Sequence, residues 1–256
     1  MLLSLILTLV FVIPLLVYAA HLVQKIRLEK ARRVAELTYR YKISHAIISG
    51  IPPQYLSQDL LVFILGESIQ ILQNLRRETP RDARLSLALS NKKQHLQEVQ
   101  NAYVKPQQTV LSSVKDAKLV QARLSALRNI ISVRSNKNQL DMSEGKKMIR
   151  HVNWQIVRCM TDVLMERAAK LAEGKSYRLA IHTYNNALQL FAKLPGHGKA
   201  MLSAERCQQR IEAVEIEFRK YLAEVEEENK NKPVEKRPAT IEEAWEKKYG
   251  GTLCAS

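Results

Sequence analysis

The chain has 256 residues, of which 46% are hydrophobic and only 6% aromatic, with 40 Lys and Arg against 25 Asp and Glu. That hydrophobic share excludes a wholly disordered polymer. Three widely separated cysteines, Cys159, Cys207 and Cys254, form no CxxC pair and exclude a disulfide framework or a zinc knuckle. The net charge of +15 points to an anionic counterpart, lipid headgroups or nucleic acid, with part of it the solvated face of helices.

Met1 to Val23 carry no charged side chain, and Lys25, Arg27, Lys30, Arg32 and Arg33 follow at once. About 20 apolar residues at about 1.5 Å each make a helix that crosses a ~30 Å hydrocarbon layer. Two readings compete: a retained signal-anchor, or a secretory signal cleaved after Val17-Tyr18-Ala19. No Lys or Arg precedes the apolar run, and the dense positive charge behind it opposes export, so the anchor is expected. Pro14 is tolerated in such a span. The anchor, residues 1–24, then leaves the N-terminus outside and the rest of the chain in the cytoplasm, on the inner face of the plasma membrane. Positive charge is densest beside it. Residues 25–140 hold 20 Lys/Arg against eight Asp/Glu, whereas residues 201–256 hold ten against 12. Anionic headgroups attract juxtamembrane cations, so Lys25, Arg27, Lys30, Arg32 and Arg33 are the candidate lipid-facing cluster.

The helix is expected to continue through residues 25–48, with Val34, Leu37 and Tyr41 on one face, until Gly50-Ile51-Pro52-Pro53 stops it. Ser57 caps a second helix reaching about Arg77. Its apolar run, Leu60 to Leu72, is too short and too polar to span a bilayer and reads as a buried face. Thr79-Pro80 opens a third helix, with Leu85, Leu89 and Leu96 inward, that Lys105-Pro106 breaks. Ala117, Val120, Leu124, Leu127 and Ile131 form a heptad-like seam on a fourth. After a polar loop at residues 135–139, Asp141 and Glu144 form a capping box ahead of a helix bearing Met148, Val152, Ile156, Met160, Val163 and Leu164. A further helix spans about Ser176 to Leu194, and Pro195-Gly196-His197-Gly198 turns the chain. The last long helix runs from about Lys199 to Asn229. Its coiled-coil-like seam (Ala200, Ala204, Cys207, Ile211, Val214, Phe218, Tyr221, Val225) either docks on a neighbouring helix or pairs residues 200–225 in a homodimer. Residues 230–256 read as a charged, loose tail, with Thr240 and Glu243 capping a short helix around Trp245. Sustained period-two alternation is absent, so the expected class is all-α.

Leu164, Ala168 and Leu171, followed by Tyr177, Ala180, Tyr184 and Ala187, resemble one tetratricopeptide-type helical hairpin. The match covers residues 164–187. Arg167 stands where that family has a large apolar residue, and its closing proline comes late, at Pro195. The resemblance implies stacked helix hairpins and protein–protein interaction. An antiparallel helix pair with small residues at the crossing reads the same positions equally well. A groove of such hairpins makes Tyr177, Arg178 and Tyr184 the candidate partner-binding residues.

Chemistry is sparse. The six histidines contain no i, i+4 pair and no HExxH, the five aspartates no DxD, and Gly196-His197-Gly198-Lys199 lacks the glycine and the Ser/Thr of a phosphate loop. No metal ligand set, cofactor site or catalytic group is expected, and the chain is read as a non-enzyme. Lys115, Lys118, Arg123, Arg128, Arg134 and Lys137, with Arg76, Arg77, Arg81 and Arg84, supply cations for a nucleic acid but few aromatics for stacking. The expected organisation is an anchor (1–24), a basic juxtamembrane helical region (25–140), a hairpin plus long helix (141–229) and a tail (230–256). The expected function is a single-pass membrane-anchored adaptor or scaffold for an unknown protein partner. A membrane-tethered nucleic-acid binder is the first alternative and an enzyme the second.

Overall fold

The computed structural model describes residues 2–101, 111 and 113–230, with side chains from Tyr18 to Glu228. These residues are all-helical. Seven α-helices follow in order: α1 (Leu2–Gly50), α2 (Gln58–Glu78), α3 (Ala83–Asn101), α4 (Val114–Asn136), α5 (Met142–Glu173), α6 (Tyr177–Phe191) and α7 (Gly198–Lys230). A single 3-10 turn, Pro53–Tyr55, joins α1 to α2. The chain divides into two compact units, residues 1–159 and 160–256, and the division falls inside α5. No helix among the described residues is long and apolar enough to cross a membrane. The side chains of residues 1–17, which make most of the expected anchor, lie outside that description, as do the Lys105-Pro106 break and the tail beyond residue 230.

In the first unit α1 ends at Gly50, where the two prolines forbid further helical N–H donation. The chain reverses, and Ser57 caps α2 by accepting from the Leu60 N–H at 3.5 Å. α2 then returns along α1 far enough for Glu78 to reach Arg33 at 3.9 Å. α3 starts at Ala83 rather than at Pro80, because the Asp82 carboxylate accepts from the Arg84 N–H at 3.0 Å and so defines the first turn. It runs back along α2, where Gln58 Nε2 donates to the Val99 carbonyl at 2.9 Å.

Two apolar clusters hold these helices. One gathers Ile71, Leu72 and Leu75 of α2 and Leu89 of α3 against Val34, Leu37 and Tyr41 of α1. The other joins Ile47, Ile51, Tyr55 and Leu60 to the α4 seam and to Val152 and Cys159 of α5. The whole α4 seam, Ala117 through Ile131, is buried, since residues three and four apart share one face. α2 is the central element. It buries Leu60, Ile64, Leu65, Ile71, Leu72 and Leu75, and also Glu67 and Ser68. Gly145 lets α5 start hard against α4: a Cβ there meets Ser135 Oγ at 2.8 Å. Asp141 caps that start through the N–H groups of Ser143 (3.0 Å) and Glu144 (3.1 Å).

In the second unit α5 ends in a left-handed residue, Lys175 (φ 60°), with the Ser176 N–H bonded back to Leu171 at 2.8 Å. α6 packs on α7. Ala168, Ala180 and Ala187 are fully buried, which permits close helix approach. Gly196, at φ 74°, makes the turn into α7.

Candidate functional site

Glu36, Arg40 and Ser44 recur every four residues along α1 and therefore line up on one face. Opposite them stand Glu67 of α2 and Arg134 of α4, with Lys137 in the turn that follows. Together they line a cleft of about 530 Å³. Its floor is an ion pair: Arg134 Nη2 lies 2.7 Å from Glu67 Oε2, and the two side chains are only 13% and 10% exposed. A carboxylate this far from water must be paired. The same guanidinium also donates to Gln70 Oε1 at 3.1 Å and to Gln139, so Arg134 is held by three acceptors. Arg40 and Lys137 are exposed at the wall and make no ion pair among the described residues. With the floor paired, the open charges of the cleft are Arg40 and Lys137 against the exposed Glu36, which leaves one net positive charge to attract a carboxylate or a phosphate.

The α6 face expected to meet a partner is occupied. Tyr177 is buried and stacks on Phe218 and Tyr221 of α7, each with ring centroids 5.7 Å away. Burial, with Glu217 and Glu224 adding to it, pushes its phenol above the ordinary tyrosine range. Tyr184 is buried too, and its carbonyl accepts from the Cys207 thiol at 3.5 Å. Both tyrosines are interior side chains of the second unit, Tyr177 against α7. Arg178 is exposed, its guanidinium 5.9 Å over the Phe218 ring. Of the α7 seam, Ala200, Cys207, Ile211 and Val214 are buried within this chain, and Ala204, Phe218, Tyr221 and Val225 are half-buried.

The five α1 cations from Lys25 to Arg33 are all exposed, and so is every residue from Tyr18 to Arg33. The α4 cations divide. Arg123 reaches across to the Gly50 carbonyl at the end of α1. Arg128 bonds to Asn153 Oδ1 at 3.4 Å, and Arg134 makes the buried pair. Lys115, Lys118 and Lys137 remain exposed. His151 and Cys159 do not converge: His151 Nε2 lies 3.1 Å from Gln155 Nε2, whereas the Cys159 thiol donates to the Ile156 carbonyl at 3.3 Å. Among the described residues no three His, Cys, Asp or Glu side chains group to hold a metal ion.

Sequence reasoning missed Glu67, Arg134 and Arg40 as a set. One signal was available: Glu67 falls among Leu60, Ile64 and Ile71 on the inward face of α2, and an acid there demands a cation from elsewhere. Compared with known protein families, with curated proteins and with solved structures, the chain matches none.

Proposed function

We propose that this chain is a single-pass, membrane-anchored helical adaptor. Its helical units lie on the cytoplasmic side of the plasma membrane, and a partner's acidic segment lies between Arg40 and Lys137 in the cleft. One observation carries the reading. α1 is continuous for 49 residues, and its stretch 18–33 is exposed on all sides while presenting Leu22, Val23, Ile26 and Leu28 together with the five cations. Helices in proteins draw most of their stability from packing an apolar face, and this stretch packs on nothing among the described residues. Apolar residues that change over to cations within two turns are the pattern of a helix leaving a bilayer through its headgroups. The exposed lysines of α4 leave nucleic acid as the alternative anion, with Arg123, Arg128 and Arg134 already engaged inside the unit.

Alkaline carbonate extraction and vesicle flotation test the anchor. The full chain is expected in the membrane pellet. The double variant Leu9→Arg/Val12→Arg, which places about 5–7 kcal/mol of insertion penalty near mid-span, is expected in the supernatant. Recovery of a mature polypeptide starting near Ala20 outside the cell overturns the proposal. For the cleft, Arg40→Glu/Lys137→Glu is expected to abolish a cross-linked partner species while membrane recovery stays unchanged.

A further inference from the structure

We infer that the corner between α2 and α3 is a second membrane contact, binding the anionic phospholipid headgroups of the bilayer that α1 enters. This rests on the anchoring proposed above. α2 returns along α1 until Glu78 faces Arg33 at 3.9 Å. That packing brings Arg77, more than 40 residues further along the chain, into one cleft with Arg33 and Arg40, and Arg76, Arg81 and Arg84 flank it in the turn from α2 to α3. All four are exposed, and none forms an ion pair among the described residues. The acids interleaved with them are already directed elsewhere: Glu78 faces Arg33, and Asp82 accepts from the α3 backbone at 3.0 Å. The result is one cationic end of the first unit, assembled from two stretches that are remote in sequence.

Its position suits lipid. Leu28, 55% exposed, is the last large apolar residue of the uncovered α1 stretch. Arg33 lies five residues beyond, about 8 Å along the helix, which is about one Debye length at physiological ionic strength. Lipid phosphates need only charge complementarity from such a surface. A single-stranded nucleic acid needs stacking platforms as well, and residues 76–101 contain no Phe, Tyr or Trp.

The test uses the full chain in vesicles. Cys159 and Cys207 are buried, so a Cys254→Ser/Ser86→Cys chain takes a donor fluorophore at exposed residue 86 on α3, and the vesicles carry a headgroup acceptor. Energy transfer is expected to be greater in phosphatidylcholine–phosphatidylserine vesicles than in phosphatidylcholine alone. The difference is expected to vanish in about 1 M KCl, where the Debye length is about 3 Å. Replacing Arg76, Arg77, Arg81 and Arg84 by Gln is expected to lower the docked-to-undocked ratio by about fivefold per residue, with helical circular dichroism unchanged. Equal transfer in both vesicle types, from a chain that floats with them, overturns this inference and leaves the anchor standing. Failure to float with either vesicle overturns both. Retention of a labelled DNA duplex that the fourfold variant loses, with no effect of vesicle composition, also overturns it and assigns the corner to nucleic acid.

Discussion

α4 and the α2–α3 corner both read as basic in sequence, yet their arginines do different work. On α4, Arg123, Arg128 and Arg134 reach inward to the Gly50 carbonyl, to Asn153 and to Glu67. At the corner, Arg76, Arg77, Arg81 and Arg84 stay in solvent. The difference lies in what each helix faces. α4 packs against the C-terminal end of α1 and against the one buried acid of α2, both of which present uncompensated negative charge. The corner packs through apolar side chains such as Ile71, Leu75 and Leu89, and among the described residues its four arginines make no ion pair. A count of basic residues therefore overstates the charge that α4 offers to a ligand and describes that of the corner correctly.

The sharpest way to break the comparison is at Glu67. Glu67→Ala is expected to cost the first unit about 3 kcal/mol, because it removes the one charged acceptor of a largely buried Arg134 and leaves it only Gln70 and Gln139. Urea unfolding followed by Trp154 emission in a Trp245→Phe background measures it. A cost below about 1 kcal/mol, the surface range, would mean that the pair behaves as an exposed one and that the contrast is empty. Replacing both members, Glu67→Leu with Arg134→Met, is expected to restore most of the loss.

The second unit repeats the contrast between the neighbours Tyr177 and Arg178. Tyr177→Ala is expected to cost about 3 kcal/mol through the cavity left against Phe218 and Tyr221, and Arg178→Gln under about 0.5 kcal/mol. The raised Tyr177 phenol adds a pH signature. The folded state keeps the proton that the unfolded state releases above about pH 10. This contribution is complete below that pH and is lost as the pH rises through the folded value. Tyr177→Phe is expected to flatten that alkaline slope in thermal unfolding curves.

Arg123→Met is expected to cost about 1.5 kcal/mol, the value of a charged hydrogen bond to a helix-terminal carbonyl, again read by Trp154 emission. Smallest of all, Arg76→Gln/Arg77→Gln is expected to leave stability within about 0.5 kcal/mol. A larger loss would mean that the corner arginines hold the fold together instead of facing lipid.

Much of the helix plan was legible beforehand. The stop at Gly50, the caps at Ser57 and Asp141, the α4 seam and the Gly196 turn all follow from local rules, since a cap or a breaker acts within a few residues of itself. The α3 start was misplaced because proline is tolerated in a helix's first turn, whereas Asp82, nearer the leucines, supplies the cap. The hairpin was harder. Ala168, Ala180 and Ala187 are buried, and Tyr177, which the periodicity offered to a partner, instead packs on Phe218 and Tyr221 of α7. Periodicity names the face of a helix that turns inward without naming what waits there.

The sequence by itself determined that the described chain is helical, where most helices begin and end, and which stripe of each is apolar. These depend on backbone donors, caps and the 3.6-residue repeat, all of which act over a turn or two. Only the tertiary structure decided that Arg134 meets Glu67 at 2.7 Å, that Tyr177 stacks on α7, and that Arg33 meets Glu78 at 3.9 Å. Those pairings join residues about 40 to 70 positions apart, and the packing of whole helices, rather than any local preference, selects them.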